Sequence, residues 1–215
     1  MHKTASVSVC YNALAYDYGD CNLDLRRSEF IRYTSTRTWF IQSDHLIMSA
    51  VILIEYTDFW RTEFNRIAAD VATALAGDDY SIEHIGSTSV QGLCAKPVID
   101  VLVGVASLDV IANRTSELQA IGFRYRPEYE SQIPLRRYFV RDSTSAMRVH
   151  LHGVLLGGKL WKEHLAFRDA LRSDLILASQ YATLKRVLAV QYANDKAGYT
   201  QAKSPFIQAV LRDHL

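Results

Sequence analysis

Cysteine, proline and long apolar runs are all scarce in this chain. Its 215 residues include only three cysteines and four prolines. The cysteines, Cys10, Cys21 and Cys94, are odd in number and scattered, which argues against a disulfide framework and favours reduced thiols in the cytoplasm. The most apolar run, Leu46 to Ile54, is far shorter than the roughly 20 residues that span a bilayer, and the amino terminus has no signal-peptide pattern. We therefore expect a soluble, cytoplasmic protein without a membrane partner.

Net charge is also lacking. The 24 lysines and arginines nearly cancel the 23 aspartates and glutamates. Such a balance produces no overall field that attracts nucleic acid, so a nucleic-acid partner is unlikely and any phosphate binding must be local. With 49% apolar residues, the chain is long enough for one well-buried core, and two large domains are not expected. Nothing in the sequence specifies an oligomeric state.

The chain divides into an extension and one compact domain. Residues 1–47 show neither helical nor strand periodicity, which predicts a weakly structured amino-terminal extension. The domain is expected over residues 48–215, starting with an apolar strand at Ala50 to Ile54. Its sheet core should end at about residue 156, because the apolar pattern of residues 157–215 is helical.

The order of elements within the domain favours an α+β fold. Apolar residues recur at helical spacing from Trp60 to Leu75, and a Thr57 or Asp58 cap and Gly77 bound that helix. A second helix should run from Ser107, its cap, to Gly122. Ser204 and Pro205 are placed to start the last helix, as its cap and first residue. Strands are predicted at Tyr80–Ile85, Pro97–Val105, Phe123–Arg126, Arg137–Arg141 and Met147–Leu155, which together form a mixed sheet with flanking helices and a helical carboxyl-terminal region.

A Gly-Ser turn between the first two predicted strands is suited to holding phosphate. Gly86 permits close approach of a ligand, and the backbone N–H groups and hydroxyls of Ser87 and Thr88 supply donors. Asp100 follows inside the apolar run Val98 to Val103, where an ionised carboxylate needs a partner or a metal ion. A partly exposed or structurally paired acid is the alternative interpretation of Asp100.

Two histidines are the next candidates. His150 and His152 lie two residues apart in a predicted strand, so both imidazoles leave the same face and can share one ligand. They are candidate metal ligands or acid–base groups, and the alternative is two structural histidines at a sheet edge. Glu83 adds a carboxylate, a further candidate metal ligand, just before the Gly-Ser turn. Arg136 and Arg137 point to opposite faces of their strand, so at most one of them should face a phosphate ligand.

The two runs around the turn resemble the signature of the GrpB family, which is predicted to belong to the nucleotidyltransferase-fold superfamily. They are Ile82 to Val90 (IEHIGSTSV) and Gly92 to Val103 (GLCAKPVIDVLV). The resemblance continues through Glu55-Tyr56, Trp60, Arg137–Phe139, the His150 and His152 pair, Phe167–Arg172, Tyr181–Lys185 and Tyr199–Lys203.

This resemblance implies a mixed sheet whose Gly-Ser turn holds the phosphates of a nucleoside triphosphate, while strand acids hold divalent metal ions. Asp100 occupies the place of the first acid, and the second place holds Leu102, which cannot bind a metal ion. His150 and His152 would then complete a mixed nitrogen and oxygen site, better suited to Mn²⁺ or Zn²⁺ than to Mg²⁺. The resemblance further implies ligand-binding roles for Lys96, Lys185, Tyr199 and Lys203; exposed lysines on a solvated helix face are the alternative for the two helical ones.

The expected function is nucleotidyl transfer to a small acceptor, with Asp100, His150 and His152 as catalytic residues and Gly86, Ser87, Thr88, Lys96 and Arg137 among the phosphate-binding groups. Two alternatives stay open at this point: a binding module for nucleotides or other phosphorylated molecules that does no chemistry, and a metal-dependent phosphohydrolase. Some family members are named for dephospho-CoA kinase, but this chain lacks the Gly-x-x-x-x-Gly-Lys-Ser/Thr phosphate loop of such kinases.

Overall fold

A computed structural model describes residues 50–142 and 147–215. The predictions for residues 1–47, including Cys10 and Cys21, lie outside these ranges. In the part that is described, seven α-helices and five strands follow in the order α1 (Phe59–Ala74), β1 (Tyr80–Ile85), β2 (Val98–Val105), α2 (Leu108–Asn113), α3 (Thr115–Ala120), β3 (Arg124–Tyr125), β4 (Arg136–Asp142), β5 (Arg148–Leu155), α4 (Lys159–Ser173), α5 (Leu175–Gln191), α6 (Lys196–Ala202) and α7 (Ser204–His214).

The strands form one mixed sheet in the order β1-β2-β5-β4-β3. Strands β2 and β5 pair in parallel, and the other neighbours are antiparallel. The parallel register sets Asp100 beside His150 and Leu102 beside His152. The predicted α+β fold with a mixed sheet, flanking helices and a helical carboxyl-terminal region is therefore confirmed.

The two faces of the sheet carry different side chains, because successive residues of a strand point to opposite sides. One face bears Ile99, Val101 and Val103 of β2, which are fully buried against the apolar stripe of α1. Each such side chain stabilises the fold by roughly 1.5–3 kcal/mol. The other face bears Asp100 and the histidines of β5, and α4 packs over it.

Glycines on the strands let helices approach the sheet closely on both faces. A Cβ at Gly153 would lie 2.9 Å from Ile111 of α2, and a Cβ at Gly104 would lie 2.6 Å from Trp161 of α4. Both separations are too short for ordinary contact. The sheet is therefore held between α2 on the core face and α4 on the face of Asp100.

Two predicted elements differ from the structure. Only Ile54 of the expected strand Ala50 to Ile54 pairs, by a two-bond bridge to Ala95 with both N···O distances at 2.9 Å. The predicted helix from Ser107 to Gly122 is broken at Arg114 into α2 and α3. There the Thr115 hydroxyl donates to Ala112 O at 2.8 Å, which competes with the helical hydrogen-bond ladder.

The helical segments near the carboxyl terminus follow the prediction closely. Asp174 caps α5 by accepting hydrogen bonds from the amides of Ile176 and Leu177. Pro205 lies in the first turn of α7, where its missing N–H costs nothing, and Ser204 is the first helical residue instead of the cap. The chain therefore breaks between α6 and α7 at Lys203. Across residues 50–142 and 147–215, no helix combines the length and apolarity that crossing a bilayer requires.

Candidate functional site

The Gly-Ser turn joins β1 to a one-turn 3₁₀ helix at Ser87–Ser89. Gly86 has φ +70°, in the left-handed region that glycine adopts without cost. A Cβ at Gly86 would lie 3.0 Å from Asp100 Cγ and would collide with Oδ2, because β1 and β2 pair Ile85 with Asp100. Ser89 Oγ closes the turn by donating to Gly86 O at 2.7 Å. Glycine at this position thus lets the turn approach the carboxylate closely.

Asp100, His150 and His152 form a compact cluster of potential metal ligands. One ligand atom from each residue lies within 4.8 Å of those of the other two. The Asp100 Oδ1 atom is 3.3 Å from His150 Nδ1 and 3.6 Å from His152 Nε2. Both imidazoles are buried on the inner strand β5, on one face as predicted, and not at a sheet edge.

Electrostatics of the cluster favour an ionised acid beside two neutral imidazoles. Burial alone would raise the pKa of Asp100, but hydrogen bonds from His150 and His152 outweigh burial and hold that pKa below its ordinary value. Burial lowers the pKa of His150 and lowers that of His152 to about 4. The cluster therefore carries one negative charge near pH 7, which a cation can neutralise.

Arg136, the neighbour of the cluster on β4, bears on how His152 can bind a metal ion. Its Nη1 lies 3.4 Å from His152 Nδ1, and its guanidinium stacks 4.6 Å from the ring centroid of Tyr138. A guanidinium only donates, so His152 Nδ1 accepts and the ring proton sits on Nε2, toward Asp100. A metal ion can bind Nε2 only if the proton moves from Nε2 to Nδ1. A protonated Nδ1 can no longer accept from Arg136, so Arg136 must then shift.

Three lysines approach the same region from different segments. Lys185 of α5 donates to Ser87 Oγ at 2.9 Å and to Cys94 O. Lys96 and Lys203 lie on the ring of Tyr199, with Nζ 5.5 and 4.7 Å from its centroid. Burial is the largest cause that lowers the pKa of Lys96 and of Lys185 to about 7, and it lowers that of Lys203 to about 8.

These groups line one cavity, which we call the central cavity. Its volume is about 110 Å³, well above the roughly 10–15 Å³ that one water molecule needs. The cavity lies between the turn, the Asp100 face of the sheet and helices α4 to α7. Its polar lining comprises Gly86, Ser87, Thr88, Lys96, Asp100, His150, His152, His164, Tyr181, Lys185, Tyr199 and Lys203.

Thr88 reaches this cavity with its hydroxyl already engaged. Its Oγ1 donates to Val98 O at 3.0 Å and lies 3.1 Å from His84 Nε2. Because that proton is used, Thr88 can offer a ligand only its backbone N–H. His84 stacks on Phe64 with ring centroids 4.4 Å apart, on the side away from Asp100.

Two residues predicted to belong to the site lie elsewhere. Arg137 occupies the opposite face of β4, where it donates to Pro134 O at 3.2 Å and pairs with Glu130 at 3.3 Å. Arg136 is the member of that pair on the Asp100 face. Glu83 faces the correct side but accepts a hydrogen bond from Arg168 at 2.6 Å and is outside the metal-ligand cluster.

Leu102, at the position where the family resemblance implies a second acid, lies in an apolar environment. Its side chain is fully buried and packs in an apolar cluster with Ile85, Ile133, Val154 and Leu160. A two-carboxylate metal site on β2 is therefore excluded, and only nitrogen ligands from β5 accompany Asp100.

Sequence reasoning missed two residues of α4 that bear on the site. His164 lines the central cavity, and its ring centroid is 5.7 Å from that of His152. Arg168, one turn later, holds Glu83 and also donates to His84 O at 3.2 Å. His164 and Arg168 are four residues apart, so they lie on the same face of α4 as its apolar residues. Two polar residues on that face were the signal that the sequence offered.

The chain matches known proteins over most of its length. The family model GrpB protein matches residues 50–213. The glutamate-rich protein GrpB of Alkalihalophilus pseudofirmus is 33% identical over 167 residues, which cover 76% of this chain and 95% of that protein. The UPF0157 protein YqkA of Bacillus subtilis is 33% identical over 158 residues, covering 74% of this chain but only 45% of that protein.

A solved structure supports the same assignment. The crystal structure of the conserved protein GrpB from Enterococcus faecalis superposes with a TM-score of 0.69 at 32% identity, covering 76% of this chain and 96% of that one. The family match spans the Gly-Ser turn, Asp100, the two histidines and the three lysines. This chain therefore belongs to the GrpB family.

Proposed function

We propose that this chain binds the phosphate groups of a small phosphorylated molecule, with a nucleoside triphosphate as the first candidate, together with a divalent metal ion. The observation that supports the proposal is the convergence of the Asp100 cluster, the Gly-Ser turn and three lysines on the central cavity. Asp100 supplies the negative charge for a metal ion, and the lysines supply positive charge for phosphate. The central cavity thus has negative charge where the metal ion would bind and positive charge where the phosphate groups would bind, as a metal–phosphate complex requires.

The donor set fits a transition metal ion. One carboxylate oxygen and two imidazole nitrogens lie close enough to share an ion, and Asp100 keeps a quarter of its side-chain surface exposed. Imidazole suits Mn²⁺ and Zn²⁺, whereas Mg²⁺ prefers oxygen ligands, so we expect Mn²⁺ or Zn²⁺ to bind more tightly than Mg²⁺. When bound, the ion would polarise a phosphoryl oxygen and lower the pKa of an acceptor hydroxyl.

Ser87 and the three lysines form the part of the central cavity where the phosphate groups would bind. Lys185 holds the Ser87 hydroxyl at the cavity wall, and the turn amides follow directly. Lys96 and Lys203 lie on the Tyr199 ring and can place two ammonium groups on a phosphate chain. Each lysine would gain charge-assisted hydrogen bonds to phosphate oxygens, the strong class of such bonds.

The reaction that this arrangement suits is nucleotidyl transfer to a small acceptor. The acceptor oxygen would bond to the α-phosphorus and release its hydroxyl proton to solvent, while pyrophosphate leaves with the electron pair of the broken P–O bond. Lys185 and Lys203 would neutralise the charge that develops on the leaving pyrophosphate. Arg137, on the opposite face of β4, takes no part in this proposal.

Leu102 favours a second candidate function, a phosphate-binding module without chemistry. A fully buried leucine stands where a second carboxylate would complete an oxygen-rich metal pair. The remaining nitrogen-rich site could also serve a phosphohydrolase that uses one metal ion.

One incubation separates the three functions. The protein is mixed with α- and γ-labelled nucleoside triphosphates, a panel of small hydroxyl acceptors, and Mg²⁺, Mn²⁺ or Zn²⁺. Pyrophosphate release with a labelled acceptor supports transfer, phosphate release supports hydrolysis, and retention of the nucleotide without turnover supports the binding module.

Two variants test the binding site itself. Ser87→Ala and Asp100→Asn should each weaken nucleotide binding in the presence of Mn²⁺, measured by isothermal titration calorimetry. The exposed replacements Ser179→Ala and Asp213→Asn are matched controls and should leave the affinity unchanged. Wild-type nucleotide affinity in both site variants would refute the proposed site.

A further inference from the structure

A second cavity lies outside the Gly-Ser turn, and we call it the outer cavity. Its volume is about 420 Å³, within the roughly 300–1,000 Å³ of small-molecule sites. It opens between the start of α1, the turn, and the junction of α4 with α5. Its lining comprises Tyr56, Arg61, His84, Thr88, Ser89, Val90, Gln91, Leu171, Arg172 and Leu175.

The outer cavity has an apolar side with an ordered aromatic ring. Tyr56 packs edge-to-face on Trp60 at 5.6 Å, and its hydroxyl donates to Asp58 at 3.2 Å. Val90 and Leu171 form a buried floor. Leu175 stands at the rim with 80% of its surface exposed, which leaves apolar surface available to a ligand.

Two arginines supply positive charge. Arg172 uses Nε and Nη2 to donate to Ser89 O at 3.1 and 2.9 Å, and Nη1 approaches Asp169 only to 3.9 Å. Because a guanidinium carries five N–H groups, several donors of Arg172 remain for a ligand. Arg61 pairs with Asp58 at 3.6 Å, and both side chains are 72% exposed, so an anion can compete for Arg61 at little cost.

His84 adds a directional polar group to the floor of the outer cavity. The Thr88 hydroxyl gives its proton to Val98 O and therefore accepts from His84 Nε2. This fixes the proton on Nε2 and leaves Nδ1 as an acceptor. His84 is only 8% exposed, and among the described residues no partner of Nδ1 is found. This nitrogen can accept a hydrogen bond from a ligand or from water.

We propose that the outer cavity binds a small organic anion with an apolar body, an aromatic carboxylate or phosphate ester. Arg61 and Arg172 bind the anionic group, Tyr56 and Leu175 cover the apolar body, and His84 Nδ1 accepts from a hydroxyl or amide of the ligand. Of the nearby acids, Asp169 is held by Arg168 at 2.7 Å, and Asp58, whose ion pair with Arg61 the anion would replace, keeps the hydrogen bond from the Tyr56 hydroxyl. This site is separate from the phosphate site proposed for the central cavity.

The two cavities share the wall formed by the turn. Thr88 lines both, and Arg172 holds Ser89 O from the outer side. A ligand that engages Arg172 therefore acts on the segment that faces phosphate in the central cavity. We expect the amide signals of Thr88 to Gln91 to move when the outer cavity is filled.

The test titrates the full chain with benzoate, neutral benzamide and phenyl phosphate, followed by two-dimensional ¹H–¹⁵N NMR. Benzoate should shift the amides of Thr88 to Gln91 and bind about two- to fivefold more tightly than benzamide, as loss of an exposed ionic contact predicts. Arg61→Gln should weaken benzoate binding about two- to fivefold by the same reasoning. Arg212→Gln, an exposed replacement on α7, is the matched control and should change nothing.

Further arms distinguish the ligand classes and the two cavities. Tighter binding of phenyl phosphate than of benzoate would identify a phosphate ester as the preferred ligand. Tighter binding of benzoate would identify a carboxylate. Lys203→Gln, in the central cavity, should leave benzoate affinity unchanged while it weakens triphosphate binding. The proposal is overturned if benzoate binds no better than benzamide, if Arg61→Gln binds it as wild type does, or if its shifts lie at Lys96 and Lys203 instead of the turn.

Discussion

Binding of a triphosphate to the central cavity should take up protons from solution. Burial lowers the pKa of Lys96 and Lys185 to about 7 and that of Lys203 to about 8, so at pH 8 the three lysines are mostly neutral before the triphosphate binds. A phosphate chain would stabilise the charged form of each lysine and raise all three pKa values. Proton uptake therefore accompanies binding at any pH above the depressed values and below the ordinary lysine value.

The expected uptake follows from these pKa values. At pH 8 a lysine of pKa 7 is about one-tenth protonated and one of pKa 8 is half protonated, so the three carry about 0.7 proton before binding and about 3 after it. Net uptake is then about 2.3 protons per triphosphate. The triphosphate itself is fully ionised at pH 8, since phosphate second ionisations lie near pH 6.

Calorimetry in buffers of different ionisation enthalpy measures this uptake directly, with the triphosphate titrated in the absence of metal. Lys185→Met should reduce the uptake by about 0.9 proton and Lys203→Met by about 0.5. Lys162→Met, an exposed replacement on α4, is the control and should retain the full value. Binding without proton uptake at pH 8, or equal uptake in all three variants, would refute the role given to these lysines.

Three further substitutions test the turn and the Asp100 cluster. Gly86→Ala forces a left-handed backbone and a collision with Asp100, so the free energy of unfolding in urea should fall by about 2 kcal/mol or more; unchanged stability would contradict the observed turn. Leu102→Asp buries a carboxylate in an apolar cluster and should cost about 4 kcal/mol in urea unfolding, whereas a stable variant with tighter Mg²⁺ binding would show the position to be functional. Arg136→Gln removes positive charge beside His152 and should tighten Mn²⁺ binding about fivefold by calorimetry, and weaker binding would contradict the tautomer assigned to His152.

Strand alternation made much of the site predictable. The same-face geometry of His150 and His152 followed from their spacing alone, and the strand Tyr80–Ile85 was predicted with its observed bounds. Alternation, however, shows only which residues of a strand share a face, and it does not show which face of the sheet that is. It showed that Arg136 and Arg137 point apart, but the register of β4 against β5 was needed to place Arg136 on the face of His152, where its Nη1 lies 3.4 Å from Nδ1 of that histidine.

Long-range convergence was not accessible from local pattern. Lys96, Lys185 and Lys203 are separated by up to 107 positions, and only the family resemblance grouped them; physical reasoning on each helix favoured a solvated lysine face. Their burial comes from packing of α5 to α7 over the Gly-Ser turn. Similarly, Glu83 pairs with Arg168 because α4 crosses β1. The pattern of the strand alone could not show that Glu83 is engaged there and is not a metal ligand.

The outer cavity escaped prediction for a related reason. Tyr56, His84 and Arg172 come from three separate segments, and each has an ordinary structural role in its own element. Arg172 meets Ser89 only because α4 ends beside the turn. A cavity that forms where helices and strands end depends on the angles at which these elements pack. The periodicity of apolar residues in the sequence does not specify those angles.

The central claim is that Asp100, His150 and His152 hold a metal ion beside a phosphate chain bound by the three lysines. The most direct measurement is a crystal structure with Mn²⁺ and a non-hydrolysable nucleoside triphosphate, with anomalous scattering at the manganese edge. The predicted result is an anomalous peak bonded to Asp100, with triphosphate density between the Gly-Ser turn and Lys96, Lys185 and Lys203. A peak at any other site, or a central cavity without triphosphate at saturating concentration, would contradict it.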